Sequence, residues 1–332
     1  MSKEKRKLPN FSIIHEDSLD WMAKQKNKSI NCVITSPPYN LGIKYSNYKD
    51  NLSREKYLKW IKQVSSEIYR ILDDKGHLFL NMGSSNKDPY ISMDVCMELR
   101  KKFILQNHFI WVKHIAVNDV GYGQYKPISS DRYVSNTTED IFHFTKDGKI
   151  PVDRTAIGQR NLTHPKYPEL YSKGRHLAVA RRKIAKRLGY KNYIEFKKNV
   201  KKNHERKFNE MLEQELSENI YDPLKPKCIG NAWFIPYTPT SKLSKKIGAK
   251  SGHNLRKVSR GGHPATYPLQ LPLQCLKFSG LKKGSRVYDP FVGTGTTVLA
   301  SIKLGMEGLG TDIDKNYVNF ANHRIKAELQ SS

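Results

Sequence analysis

Two short stretches hold residues whose types and spacing could do chemistry. The first is Thr35-Ser36-Pro37-Pro38-Tyr39-Asn40, directly after the apolar run at 32–34. Two successive prolines fix two φ angles and remove two backbone donors, so the chain must turn rigidly where the strand ends. Such a turn can hold a planar polar group between the Ser36 hydroxyl, the peptide carbonyls near Pro37 and the ring of Tyr39. The same six residues also suit an ordinary proline-rich turn in which Tyr39 is packing. The second stretch is Asp289-Pro290-Phe291-Val292-Gly293-Thr294-Gly295-Thr296-Thr297, which reads as strand, tight loop and helix start. Gly293 and Gly295 allow a sharp turn and let a ligand approach the amides with no Cβ in the way. Thr296 or Thr297 is placed to cap the helix, whose N-terminal amides face the loop. Asp289 at the strand end suits an amine-bearing ligand head. Asp312, 17 residues past Gly295, should end the next strand, where a carboxylate can accept two ribose hydroxyls. The loop has neither the lysine of a phosphate cradle nor the third glycine of a dinucleotide fingerprint. A tight glycine turn with no ligand is the plain alternative.

The surrounding elements must position these groups. Apolar residues predict strands at Phe11–Ile14, Cys32–Ile34, Leu78–Leu80, Phe109–Val112 and Ile141–Phe144. Residues 54–72 repeat apolar side chains every three or four positions, an amphipathic helix, and Asp73–Gly76 reads as a turn after it. Residues 91–103 also read as helix. From Leu269 the rhythm returns: helix near 269–279, strand at Arg286–Tyr288, helix from Thr296, strand near 307–310, helix at 315–328. Strands alternating with helices predict βαβ units and a mostly parallel sheet. Between the halves, 171–218 is charged and predicts two or three exposed helices. Asn231–Pro239 is aromatic and proline-bearing, either a wedge against a ligand or a return strand. Residues 238–263, with seven basic and no acidic side chains, read as a basic loop.

Composition narrows the partners. The 332 residues carry 58 Lys+Arg against 31 Asp+Glu, a net charge of +27, which draws polyanions and above all nucleic acid. Residues 151–260 hold +17 of this and the other 222 residues +10. No apolar run is long enough to span a membrane, and the basic first residues lead into no signal core. Four scattered cysteines form no CxxC pair, so disulfide scaffolds and zinc ribbons are excluded and a cytoplasmic setting is expected. The histidines flanking strands (His15, His77, His108, His114, His143) read as satisfied core or edge residues, and no metal site is expected.

TSPPY at 35–39 resembles motif IV of the amino-methylating DNA methyltransferases, and DPFVGTGTT at 289–297 resembles their motif I. Motif IV precedes motif I with a basic segment between, an order similar to the β group. The resemblance covers about 11–150 and 262–328. HEDSLDWM, with Asp17, looks like motif III, near the cofactor adenine; HPATYPLQLPLQCLKFSG (263–280) looks like motif X; Asp312 stands where the family more often has glutamate. The resemblance implies an α/β, Rossmann-like fold that uses S-adenosyl-methionine, with a mixed seven-stranded sheet. Residues 1–150 would form the catalytic half, 151–261 an inserted, mainly helical target-recognition region and 262–332 the cofactor half. Cofactor contacts would come from Asp17, Thr35, Asp289, Pro290, Phe291, Gly293, Gly295, Thr296 and Asp312. Catalysis would fall to Ser36, Pro37, Pro38 and Tyr39, and DNA contacts to Lys245, Lys246, Arg256, Lys257 and Arg260.

None of the four cysteines follows a proline, so ring-carbon methylation, which wants a Pro-Cys nucleophile, is disfavoured. An exocyclic amine can attack an activated methyl directly once acceptors hold its protons. The target base must first leave the helix stack, here onto Tyr39. In the family it resembles, a serine before Pro-Pro-Tyr goes with the N4 amine of cytosine, which the resemblance therefore implies here; the N6 amine of adenine is the alternative. An RNA base methyltransferase and a non-catalytic DNA-binding protein are the rivals. Duplex DNA is the expected partner, and family habit adds a cognate restriction endonuclease and a homodimer.

Overall fold

The computed structural model describes residues 10–43, 48, 50–117, 120–123, 131–134, 136–157, 180–200, 202–218, 230–236 and 267–330. In chain order the elements are β1 (Phe11–His15), α1 (Ser18–Ala23), β2 (Ile30–Thr35), α2 (Arg54–Ile71), β3 (Leu72–Met82) and α3 (Ile91–Leu99). There follow β4 (Ile104–Val117), β5 (Val120–Gly123), β6 (Thr138–Thr145), α4 (Tyr193–Asn199), α5 (Lys202–Glu218) and β7 (Ala232–Pro236). The chain closes with α6 (Gln270–Ser279), β8 (Arg286–Asp289), α7 (Thr296–Lys303), β9 (Glu307–Asp312) and α8 (Lys315–Gln330). It forms two compact units, one of residues 1–156 with 230–332, the other of 157–229.

The first unit is an α/β domain around one mixed sheet ordered β1-β9-β8-β2-β3-β6-β4-β5, with β7 pairing parallel to β4. The expected seven strands become nine among the described residues. The difference lies beyond β6, where the long β4 runs on to carry β7 along 110–114 and β5 along 114–117. Ala232–Pro236 thus forms the return strand, with Trp233 buried against Phe109 at 4.3 Å between ring centroids. A second correction concerns Asp73–Gly76. Leu72 pairs with Ile30 and His77 with Cys32, so the turn, in which Asp73 Oδ1 accepts the Lys75 amide at 2.8 Å, stands as a bulge of three extra residues within β3.

Five neighbouring strands, β1, β9, β8, β2 and β3, run parallel. Their carboxyl ends therefore lie along one edge, where open α/β sheets place their ligands. Alternation along the strands supplies both faces. Val33, Leu78, Leu80, Tyr288 and Leu309 join a core with Trp21 and Met22 of α1, Tyr57, Ile61, Val64 and Ile68 of α2, and Ile91, Val95 and Leu99 of α3. Phe79, between Leu78 and Leu80, meets Phe278 of α6 instead. Ile13 and Val292 pack with Val298, Leu299 and Ile302 of α7 and Val318, Ala321 and Ile325 of α8. Helix α2 forms because apolar side chains recur on one face and Ser53 caps its first turn through Lys56 N–H.

The second unit has its own small core. Helical residues 180–187 bring Ile184 and Ala185 against Phe196 of α4 and Phe208 of α5, the two rings stacking at 4.3 Å.

Candidate active site

The TSPPYN turn is locked from three sides. Asn40 adopts a left-handed φ of 59°, and its side chain bridges to Leu52 in both directions, Nδ2 donating to the Leu52 carbonyl (2.8 Å) and Oδ1 accepting its N–H (2.7 Å). The buried Asp50 carboxylate accepts the amides of Asn40, Leu41 and Ile43 at 2.7–3.1 Å. Burial pushes its pKa up while these donors oppose the rise. Tyr57 of α2 donates to the Pro38 carbonyl at 2.7 Å. The turn is therefore held far more firmly than proline alone would hold it. Ser36, half-buried, lies 2.8 Å from the Tyr39 hydroxyl.

The glycine loop lies one strand away, because β2 pairs with β8. Gly293 (φ 48°) and Gly295 (φ 80°) take the left-handed backbone that the glycine pair predicts. A Cβ on Gly295 would also come within 2.9 Å of Ala321 on α8. The capping expectation is corrected: Gly295 itself is the N-cap of α7, and no side chain caps that helix. Thr297 instead donates to Asp289 (2.7 Å), and Thr296 accepts from the buried Arg324 guanidinium (2.9 Å), which also holds the Thr294 carbonyl. Burial lowers Arg324 to about 10.

Asp289 is only 1 % exposed and its carboxylate is surrounded by donors. Thr35 Oγ1 (2.8 Å) and the Phe291 amide (3.1 Å) reach one oxygen; Tyr267 OH (3.0 Å) and Thr297 Oγ1 reach the other. It is a tie between the ends of β2 and β8, the glycine loop and the approach to α6, so any influence on a ligand passes through the groups it holds. The Thr311 hydroxyl donates to the Pro290 carbonyl, and Phe291 packs on Trp60 at 5.3 Å. Asp312 ends β9 and accepts the Gly293 amide (3.0 Å) and the Asp314 amide (2.9 Å). Burial, with Asp314 and Asp289 nearby, raises it to about 6. Asp17 caps α1 through the Leu19 amide, and β1 places His15 in register with Asp312.

These positions fit a nucleoside-bearing cofactor on three counts. The N-terminus of α7 has no capping side chain beneath a glycine loop. Asp312 is fixed by two amides and each oxygen keeps a further lone pair. The buried Asp314 Oδ2, two residues on, has no hydrogen-bond partner among the described residues. The five DNA-contact candidates Lys245, Lys246, Arg256, Lys257 and Arg260 lie outside the described residues. No cluster of His, Cys, Asp and Glu suited to a metal exists among the described residues, where no helix is long and apolar enough to cross a membrane.

The sequence places Thr35, Ser36, Tyr39, Asp289, Gly293 and Asp312 at or just after the ends of separate strands, and the structure brings them to one edge. Sequence reasoning missed Arg324, Asn81 and Glu139. The signals were faint: an arginine on the apolar face of α8, an asparagine next to last in the otherwise apolar end of β3, and a glutamate at the start of β6.

Comparisons with known proteins show the family and the fold. A family model described as DNA methylase, for the N6 and N4 enzymes, matches residues 30–323. The chain is 24 % identical to the type II methyltransferase M.ScaI of Streptomyces caespitosus, over 96 % of this chain and 82 % of that one. It is 21 % identical to the DNA adenine methyltransferase YhdJ of Escherichia coli, over 95 % and 82 %. Among solved structures, the cytosine-N4-specific PvuII DNA methyltransferase superposes with a TM-score of 0.61 at 16 % identity, covering 96 % of this chain and 89 % of that one. With the family model spanning most of the chain, this protein belongs to the N6/N4 DNA methylase family.

Proposed function

We propose that the protein transfers a methyl group from S-adenosyl-methionine to the N4 amine of cytosine within a short sequence of duplex DNA, on a base flipped out of the helix. The observation that carries this reading is the Thr35–Asp289 hydrogen bond at 2.8 Å. It fastens the Ser36-Pro37-Pro38-Tyr39 turn to the strand that launches the glycine loop, so acceptor pocket and cofactor loop share one rigid edge.

When bound, S-adenosyl-methionine supplies an activated methyl group. Gly293 and Gly295 let it approach the loop amides, Asp312 accepts ribose hydroxyls, and Asp17 and Phe291 flank the nucleoside. Asp289, Pro290, Thr35 and Thr296 keep that surface in shape. On the acceptor side, Tyr39 stacks the base while Ser36 Oγ and the Pro37 carbonyl accept the two amine protons. This favours a pyramidal nitrogen with its lone pair free to attack. Pro37 and Pro38 hold the acceptors in place, so little reorganisation accompanies the reaction. Basic residues of 181–207, with Lys245, Lys246, Arg256, Lys257 and Arg260, supply phosphate contacts.

A second reading, N6 methylation of adenine, is favoured by the similarity to YhdJ along 95 % of this chain. Serine as a neutral acceptor, in place of an acceptor-only carboxylate, favours cytosine. A cognate restriction endonuclease is the partner that would give such a modification its use. Incorporation of labelled methyl groups into duplex DNA and into total RNA tests the function. Label in DNA that disappears in Ser36→Ala supports it; label in RNA alone overturns it.

A further inference from the structure

Around Tyr39 lies a polar network that the transfer described above does not use. The Tyr39 hydroxyl donates to Glu139 Oε2 at 3.1 Å and accepts from Asn81 Nδ2 at 2.7 Å. Asn81 Nδ2 also reaches Glu139 Oε2 at 2.6 Å, and Lys113 forms an ion pair with Glu139 Oε1 at 2.5 Å. Asn81 is 2 % exposed and the Glu139 side chain 13 %. These residues come from β3, β4 and β6, adjacent strands of one sheet, and converge on a hydroxyl 2.8 Å from Ser36 Oγ.

The direction of each hydrogen bond follows from Glu139. An ionised carboxylate only accepts, so the single Tyr39 proton points to it. The amide of Asn81 must present nitrogen, because its oxygen there would face the carboxylate. That orientation leaves Asn81 Oδ1 without a partner among the described residues. The arrangement serves the phenol, not the amide. With its proton committed to Glu139, Tyr39 can only accept from Ser36. Ser36 therefore donates inward, and both lone pairs of Oγ are left for groups outside the network. Without Glu139, Tyr39 could donate to Ser36, and Ser36 could then turn its proton toward the incoming amine.

We infer that Glu139 is a positioning residue: through Tyr39 it polarises the Ser36 hydroxyl so that Oγ meets the target amine as an acceptor, held in line by Asn81 and Lys113. The inference rests on the reading of Ser36 as amine acceptor given above.

Single-turnover methyl transfer with saturating cofactor and DNA measures it, beside binding of S-adenosyl-homocysteine. Glu139→Gln should slow transfer about tenfold, leaving the affinity for S-adenosyl-homocysteine and the KM for DNA unchanged. Tyr39→Phe, which keeps the ring and cuts the chain, should slow transfer by a similar factor. In the Tyr39→Phe background Glu139→Gln should add nothing further, because its route to Ser36 is already cut. Glu139→Gln that transfers at full rate, or losses that multiply in the double variant as independent structural damage would, overturns the inference. If Glu139→Gln does not fold, Tyr39→Phe at full rate overturns it equally. Ser36→Ala keeps the two claims apart: full turnover there rejects the amine-acceptor reading itself, whereas a loss there with an unaffected Glu139→Gln rejects only the role of Glu139.

Discussion

Asp312→Asn should stabilise the cofactor-free protein while weakening cofactor binding. Burial raises this carboxyl from 3.8 to about 6. At 1.36 kcal/mol per unit, the fold carries about 3 kcal/mol of strain in holding it ionised at neutral pH. Asparagine removes the charge but has one acceptor oxygen, whereas Asp312 now receives two amides, from Gly293 and Asp314. The rise to about 6 already nets both bonds against burial, so the gain from removing the charge is about 3 kcal/mol at most. Urea unfolding of both proteins at pH 7.5, with no cofactor present, reads it. The sign with pH is also fixed. The native carboxyl takes up a proton before the unfolded one does, so wild-type stability gains from this group as pH falls from about 6 to about 4. In D312N that component vanishes, and the difference between the two proteins should shrink toward pH 4. Cofactor affinity, by calorimetry, should fall by about 1.5–3 kcal/mol, the worth of hydrogen bonds to a charged acceptor. A D312N protein with unchanged stability and unchanged affinity would refute both the strain and the ribose contact.

Three other predictions follow from the same geometry. Ser36→Ala should lower kcat about 10²–10³-fold, the usual loss for one preorganised hydrogen-bond group in a site, with cofactor affinity intact; full turnover rejects the pocket. His77 and His143, 3.0 Å apart and buried, are lowered by desolvation to about 4 and about 3. Their neutral forms hold the fold, so thermal stability should drop as pH falls below about 6.5, and exchanging both for glutamine should flatten that drop; an unchanged slope counts against it. Neutralising Lys245, Lys246, Arg256 and Lys257 together should weaken binding to every duplex and reduce the salt slope by about 0.9 for each phosphate left unneutralised. An unaltered slope places the DNA-binding surface elsewhere.

How much of this was legible beforehand depended on how local each signal was. Ser36-Pro37-Pro38-Tyr39 and Gly293-Thr294-Gly295 could be read because prolines and glycines constrain the backbone within a few residues. Asp312 could be read because a β-strand's length fixes where its carboxyl end falls. At Asp73–Gly76 the local turn chemistry was legible, Asp73 Oδ1 accepting the Lys75 amide, but the strand pairing on either side, which makes the turn a bulge between Leu72 and His77, was not. Thr296 and Thr297 look like caps in isolation, yet their hydroxyls serve Arg324 and Asp289, partners that no local pattern encodes. Glu139 meets Tyr39 across 100 residues of chain. Only the register of β3 with β6 brings Asn81 beside that strand, and only the pairing of β6 with β4 brings in Lys113. Of the two strands added at β4, β7 was one of two readings of 231–239, whereas β5 escaped notice because the edge of a sheet is set by tertiary pairing, not by hydropathy.

The central claim, direct methylation of the cytosine N4 amine in DNA, is tested most directly by mass spectrometry of nucleosides from duplex DNA incubated with the protein and S-adenosyl-methionine. The account predicts N4-methyldeoxycytidine, formed by the wild type and lost in Ser36→Ala; N6-methyldeoxyadenosine alone, or no modified nucleoside at all, would contradict it.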